Sequence, residues 1–390
     1  MLVGIVGAPN KGKSTLFSAL TMHEVEIADY PFTTINPNLG VAYVSKECVD
    51  KELNISCNAR NSLCINHVRF FPVNIIDVAG LVEDAHLGKG MGNQFLNDLA
   101  SADALIVVVD ASGKTDAHGN KVDYADPIND VNMVTNEIIE WISGIIKKHI
   151  NIISKREDGV EALYEVLSAF KVTKKDIESI LNLYSLSSSK INWTDDEIKK
   201  FSEGVFKKTK PMVVAANKID AHGAIENLNK LKNEIKDYKV IGCSASIELA
   251  LRKAAKQKII EYTPGVNSFK IIEKDLSKEK LDALLYIQNF LKSNGSNIQQ
   301  LLNYVVFDLL DNIVVYPVED ENKYTDHFGN ILPDGILIKR GSTALNLAEK
   351  IHTNLAKGML YAIDARTKKR LSKDYILKDN DIIKIVSTIK

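Results

Sequence analysis

Little in this 390-residue chain points outward from the soluble globular class. It has four cysteines, Cys48, Cys57, Cys64 and Cys243. They form no CxxC pair and no His-flanked ligand set, so the sequence suggests neither a zinc site nor a secreted disulfide framework. Reduced thiols in a cytoplasmic protein are expected. No apolar run reaches the length of a membrane span, so no membrane partner is expected. The N-terminus enters an apolar strand at once, so no signal peptide is expected. No internal repeat or low-complexity tract is present. The formal net charge is only -1, so contact with nucleic acid would have to come from a local patch.

What the chain does have is 45% hydrophobic and 25% charged residues, enough for two or three packed domains. Short apolar runs recur at Leu2 to Val6, Val73 to Ile76, Leu105 to Val109, Met212 to Ala216 and Val240 to Gly242, with helical patterns between them. That alternation predicts a doubly wound, mostly parallel α/β domain whose functional residues follow the strand ends. Helices alone are predicted over about 127–208, where Thr173-x-x-Asp176 and Thr194-x-x-Glu197 read as capping boxes. This is a helical insertion. Residues from Ser246 to Asn312 are again mostly helical, with Pro264-Gly265 as a break. From Ile313 short strands return, with one helix opening at Thr343 and running to about His352. The expected boundaries are 1–265 for the α/β domain, 266–311 for a helical linker and 312–390 for a small β-rich domain.

Gly7-Ala8-Pro9-Asn10-Lys11-Gly12-Lys13-Ser14 is a G-x-x-x-x-G-K-S loop after an apolar strand and before a helix starting near Thr15. Its backbone N–H groups and the helix N-terminus suit phosphates, Lys13 reaches the terminal phosphates, and the Ser14 hydroxyl suits Mg²⁺. Asp77-x-x-Gly80 follows the second apolar run. It places an acid where Mg²⁺ can be held through water and a glycine N–H where a γ-phosphate can be sensed. Tyr30-Pro31-Phe32-Thr33-Thr34 offers two hydroxyls in a loop that can close on Mg²⁺ and γ-phosphate, and Thr34 is the preferred one. The expected metal ligands are Ser14, Thr34 and Asp77, and the expected catalytic set is Lys13, Thr34 and Gly80.

Asn217-Lys218-Ile219-Asp220 follows the fourth run and selects the base. The Asp220 carboxylate can accept from N1–H and the exocyclic amine of guanine, whereas adenine presents an acceptor at N1. Cys243-Ser244-Ala245 stands at the next strand end and can back the base. The expected nucleotide contacts are Asn10, Lys11, Gly12, Lys13, Ser14, Thr15, Asn217, Lys218, Asp220, Ser244 and Ala245. After Gly80 comes Leu81, where Ras-like GTPases carry a water-orienting glutamine. A leucine cannot do this, so hydrolysis must recruit another group, a partner or a monovalent cation. Asn10 resembles the P-loop asparagine that coordinates potassium in some GTPases. That implies K⁺ stimulation, beside the plainer reading of an Asn that stabilises the loop. His86 and His118 are candidates for positioning water.

Taken with Asp77-Val78-Ala79-Gly80-Leu81-Val82, Gly88-Lys89-Gly90-Met91-Gly92-Asn93 and Phe95-Leu96, the Tyr30 to Ile35 stretch resembles the Obg superfamily, specifically its archaeal-type YchF-related GTPases. In the tail, Leu332-Pro333-Asp334-Gly335, Lys339-Arg340-Gly341-Ser342-Thr343, Leu347-Ala348, His352-Thr353 and Lys378 to Ile382 resemble a TGS domain. The resemblance spans nearly the whole chain. It implies a P-loop NTPase fold with a C-terminal β-grasp module linked to RNA, and a GTP switch in translation that meets the ribosome or ribosomal RNA; a monomer is expected. Leu81 agrees with the family. Asp84 departs from it, since the family often carries Gly there. Bacterial and eukaryotic YchF proteins end the base-reading motif in Glu and prefer ATP, whereas this chain has Asp220. The alternative is an ATPase of the same family that regulates translation or stress response through protein partners. Clustered cations at Arg366, Lys368, Lys369, Arg370 and Lys373 can meet phosphates, a solvated charged face being the plainer reading.

Overall fold

The computed structural model describes residues 1–22, 38–78, 98–189 and 191–388. The first apolar run becomes strand β1 (Leu2–Val6), buried from Val3 onward as an unbroken run in a central parallel strand requires. Strands β2 (Leu39–Glu47), β3 (Leu63–Ile65), β4 (Val68–Asp77), β5 (Ala104–Asp110), β6 (Met212–Asn217) and β7 (Lys239–Gly242) follow. Two compact units divide the chain.

In the first unit, strands lie in the order β4-β1-β5-β6-β7, all parallel, with Asn74 to Asp77 of β4 paired to β1. The register sets Ile5 opposite Asp77, Val6 opposite Val107 and Asp110 opposite Asn217. The carboxyl ends of these strands therefore share one edge, where ligands bind in such sheets. The helices of the chain up to this point and beyond are α1 (Lys13–Thr21), α2 (Val49–Leu53), α3 (Pro127–Ile153), α4 (Gly159–Leu167), α5 (Lys174–Leu183), α6 (Asp195–Thr209), α7 (Ala224–Glu234), α8 (Ala245–Lys256) and α9 (Lys278–Asn294). A two-stranded ribbon of β8 (Ile260–Glu261) and β9 (Lys270–Ile271) lies between α8 and α9 in sequence, and the short helix α10 (Ile298–Asn303) follows α9.

The inserted helices begin where their caps dictate. Thr173 and Thr194 each accept from the backbone N–H three residues on, and Asp176 and Glu197 reach back to close the box. Asp126 caps α3, with Pro127 in the first helical position, where a missing N–H costs nothing. The apolar faces of α3 to α6 join the sheet in one core, and Trp141 against Phe170 and Trp193 against Phe201 fill it. Among the described residues, no helix is long and apolar enough to cross a membrane.

The second unit holds a five-stranded sheet of β10 (Asn312–Val318), β11 (Ile336–Lys339), β12 (Met359–Asp364), β13 (Arg370–Leu371) and β14 (Asp381–Ser387), in the order β11-β10-β14-β12-β13. Only β10 and β14 run parallel. Helix α11 (Ala344–Ile351), capped by Thr343, lays Ala344, Leu347 and Ala348 on Ile313, Val315, Ile338 and Met359. A helix packed on a mixed sheet of this order is the β-grasp arrangement of a TGS domain.

The grouping of segments differs from linear boundaries at 265 and 311: residues 42–73 belong with the C-terminal residues. Within this unit Arg69, fully buried on β4, donates to the carbonyls of Leu332 and Pro333 at 2.9 and 2.8 Å. The backbone N–H groups of Asn58 and Arg60 donate to Ile331 and Pro333, each at 2.8 Å. Three of the cysteines, whose spacing suggests no ligand set, come together in the fold. Cys48, Cys57 and Cys64 are separated in sequence, but α2 and the β3–β4 hairpin fold them together with Asp50.

Candidate functional site

The phosphate loop joins β1 to α1. Gly7 has φ 146°, and a Cβ there would stand 2.5 Å from the carbonyl oxygen of Val108. Gly12 has φ 93° and precedes α1, and a Cβ there would stand 2.3 Å from Nδ2 of Asn217. Both positions demand glycine. No side chain caps α1 at Gly12, so its first-turn N–H groups are left to an anion. Lys13, buried on the first turn, donates from Nζ to the Ala8 carbonyl at 2.8 Å, inside the loop itself. Burial lowers its pKa, while the Asp77 charge works against that shift. Thr15 follows Ser14 on the same turn.

Ser14 Oγ donates to Asp77 Oδ2 at 2.9 Å. The other oxygen, Oδ1, is buried with no hydrogen-bond partner among the described residues. Burial raises the Asp77 pKa, against the hydrogen bond from Ser14 and the charge of Lys13. A hydroxyl beside a carboxylate with an orphaned buried oxygen is a hard-donor set that fits Mg²⁺. When bound there, the ion would neutralise charge on the nucleotide phosphates. Ser14 and Asp77 are the described residues that would hold it, directly or through water.

Lys11 does something the motif does not reveal. Its fully buried ammonium lies 2.7 Å from Asp130 of α3 and donates to the Thr115 carbonyl at 2.8 Å. With its ammonium engaged there, any nucleotide contact is left to the Lys11 backbone.

On the base side, Asn217 is buried at the end of β6. Its Nδ2 donates to the Lys11 carbonyl and its Oδ1 accepts from the Ala245 N–H, both at 3.0 Å. Lys218, at φ 66°, reaches back to donate to the Asn10 carbonyl at 3.0 Å and pairs with Asp110 at 2.8 Å. The Asp220 carboxylate accepts from the hydroxyls of Ser244 at 2.6 Å and Ser246 at 3.3 Å. Those donors hold both oxygens at one place, and a base with two adjacent N–H groups can meet them there. Ser244 also caps α8.

Sequence reasoning misses Asp110, Thr115 and Asp130. The signal available is weak: an acid closing a buried strand, as Asp77 does. Asp110 accepts from Ser112 Oγ at 2.5 Å and Thr115 Oγ1 at 2.7 Å as well as from Lys218. Burial pushes its carboxyl up, but these hydrogen bonds outweigh that and hold it below the ordinary range. Asn10 donates from Nδ2 to the Gly119 carbonyl at 2.9 Å, so its amide ties the phosphate loop to the 114–122 loop, on which His118 is exposed. Thr33, Thr34, Gly80, Leu81, Asp84 and His86 lie outside the described residues.

Family models match three stretches: a 50S ribosome-binding GTPase over residues 2–156, an Obg-like GTPase YGR210-like, G4 motif-containing domain over 215–320, and a TGS domain over 328–387. An uncharacterized GTP-binding protein of Methanocaldococcus jannaschii is 49% identical over 395 residues, with 100% of each chain covered. The crystal structure of a GTP binding protein from Pyrococcus horikoshii OT3 superposes with a TM-score of 0.80 at 39% identity, covering 100% of both chains. A ribosome-binding ATPase YchF of Mycoplasma genitalium is 29% identical over 409 residues, covering 97% of each. This chain belongs to the YchF-type, Obg-like P-loop GTPases and carries a C-terminal TGS domain.

Proposed function

We propose that this GTPase is a guanine-selective, cytoplasmic switch whose nucleotide state controls docking of its TGS domain on ribosomal RNA. The observation that carries the docking half is a group of exposed cations on and beside β13 of the TGS domain. Lys369, Arg370 and Lys373 are exposed, and Arg370 lies 4.4 Å over the Tyr361 ring, a stacked pair of the sort that meets RNA. Arg366 is engaged otherwise. It grips Glu52 through Nε and a terminal nitrogen at 2.9 and 3.0 Å. The ribosome-binding name of the Mycoplasma relative supports the same partner class.

In this reading Lys13 contacts the terminal phosphates, Ser14, Thr34 and Asp77 hold Mg²⁺, Gly80 senses the γ-phosphate and Asp220 reads the base. Asn10 offers its amide oxygen to K⁺ while its nitrogen stays on Gly119. Selectivity rests on Asp220, because its carboxylate would meet the N1 acceptor of adenine lone pair to lone pair, with no donor from the base. Co-sedimentation of the full chain with ribosomes under GDP, a non-hydrolysable GTP analogue or the matching ATP analogue tests both halves. Selective pelleting with the GTP analogue is expected. Pelleting only with the ATP analogue would move the base preference to adenine, and no pelleting in any state would remove the ribosome as partner.

A further inference from the structure

Residues 48–67 fold back on themselves twice. Cys48 precedes α2 as its N-cap residue and Asp50 lies on its first turn. Cys57 stands in the coil that follows, and Cys64 is the middle residue of β3. The hairpin into β4 turns at Asn66 and His67, whose φ values of 50° and 61° are those of a tight two-residue turn. Together these turns bring the three sulfurs and a carboxylate oxygen of Asp50 within 4.8 Å of one another.

The spacing is that of ligands around one ion. Cys48 Sγ and Cys57 Sγ are 3.9 Å apart, and Cys64 Sγ is 3.8 Å from Asp50 Oδ2. A tetrahedron with metal–sulfur bonds of about 2.3 Å has sulfur–sulfur edges of about 3.8 Å. Cys48 and Asp50 are buried, and Cys57 and Cys64 are half-buried. A buried carboxylate needs a cation or several donors. Among the described residues the one ion-pair partner of Asp50 is His67, with Nδ1 3.0 Å from Oδ1. Oδ2 of Asp50 accepts from the Cys57 backbone N–H at 3.4 Å and lies beside the Cys64 sulfur.

Arg69 gives a second, independent sign. It is the cross-strand partner of Cys64, so both side chains emerge on one face of the hairpin. It is fully buried, yet its donors end on the Ser62 hydroxyl and two carbonyls, with no carboxylate against it among the described residues. A guanidinium without a counter-ion is costly inside a protein. An anionic thiolate cluster that includes Cys64, its cross-strand partner, would serve as that counter-ion.

We infer that Cys48, Cys57, Cys64 and Asp50 form a tetrahedral structural zinc site, with His67 as the positioning residue that holds the Asp50 carboxylate. Three soft thiolates select zinc over Mg²⁺ or Ca²⁺, and a closed set of four protein ligands is the structural kind. Each thiol releases its proton as its sulfur binds the ion, so loading acidifies an unbuffered solution. The site closes the 48–64 segment whose Asn58 and Arg60 N–H groups bond Ile331 and Pro333, so it fixes the base on which that pairing rests.

The test is metal analysis of the full chain purified without a metal-affinity step from zinc-supplemented cells. About one zinc per chain is expected, falling below about a tenth of that in Cys57→Ser and Cys64→Ser. Cobalt loading of the wild-type chain, which needs no variant to fold, should give the visible bands and sulfur charge-transfer absorption of a tetrahedral thiolate site. His67→Ala should keep the metal but bind it about 10–100-fold more weakly. Depletion in His67→Ala as complete as in Cys57→Ser would overturn Asp50 as the fourth ligand. A chain that holds no zinc and gives no cobalt bands, or one recovered from cells with Cys48 and Cys57 joined as a disulfide, would overturn the site.

Discussion

Asn217 joins the phosphate loop to the base side of the site: its amide nitrogen donates to the Lys11 carbonyl and its oxygen accepts from Ala245, each at 3.0 Å. One buried side chain thus sets the spacing between segments that stand far apart in sequence. Asn217→Ala would leave a buried carbonyl and a buried N–H without partners, at about 1–3 kcal/mol each. Affinity for GTP and GDP should fall together by about tenfold or more, with a lower melting temperature. Fluorescent-nucleotide titration and calorimetry check this, and wild-type values in both would mean that the amide is not the brace.

Asp220→Asn should behave differently, because the substituted amide has nearly the shape of the carboxylate, can keep the short bond from Ser244 on its oxygen, and turns an NH2 in place of an oxygen toward the base. Guanine would forfeit two charge-assisted bonds, and its affinity should drop about 10²–10³-fold. Xanthine carries an oxygen where guanine has its amine, so the new amide can donate to it. Titration with xanthosine and guanosine diphosphates should show the preference reversing. Equal weakening of both would place the base away from Asp220.

In the proposed site Asp77 would link Mg²⁺ binding to pH. Burial raises its pKa in the folded chain above that of the unfolded chain, although Ser14 and Lys13 oppose the rise. Its contribution to stability is therefore greatest below the ordinary carboxyl range and is lost as pH rises through the raised native value. Mg²⁺ requires the ionised form and competes with that proton, so its affinity should weaken as pH falls through the same value. The gain in melting temperature from Mg²⁺ with GDP should be larger near about pH 7.5 than near about pH 5.5. Asp77→Asn should abolish the difference.

Much of this is legible in the chain. The strands of the parallel sheet fall where apolar runs end in glycine or a polar residue, Thr173 and Thr194 start their helices as their spacing to Asp176 and Glu197 implies, and Thr343 starts its helix as expected. Local rules suffice for such features, since both partners lie within one turn. Lys11 and Lys218 show where they stop. Each carries a long flexible cation whose direction depends on an acid far along the chain, Asp130 or Asp110. The cysteines are harder still. Their spacing matches no short ligand motif, and the convergence is produced by α2 and by the turn at Asn66 and His67. The grouping of residues 42–73 with the tail rests on Arg69 and on backbone bonds to Ile331 and Pro333, which no local pattern announces.

The cationic face of the TGS domain makes a prediction that separates its residues from one another. Lys369, Arg370 and Lys373 are exposed, and their charges are available to phosphates. Arg366 is held by both oxygens of Glu52 and donates to the Asn380 carbonyl at 2.8 Å, so its charge is already answered. Changing Lys369, Arg370 and Lys373 together to Gln should weaken binding to ribosomal RNA. It should also flatten the dependence of log affinity on log salt by about 0.7–0.9 for each phosphate no longer neutralised, about 2–3 in all. Arg366→Gln should leave that slope nearly unchanged and instead lower thermal stability slightly, as expected for an exposed bidentate pair worth about 1 kcal/mol or less. A slope that responds to Arg366 and not to the other three would place the RNA contact on the Glu52 side of the domain, where the ion pair would have to open before a phosphate could enter.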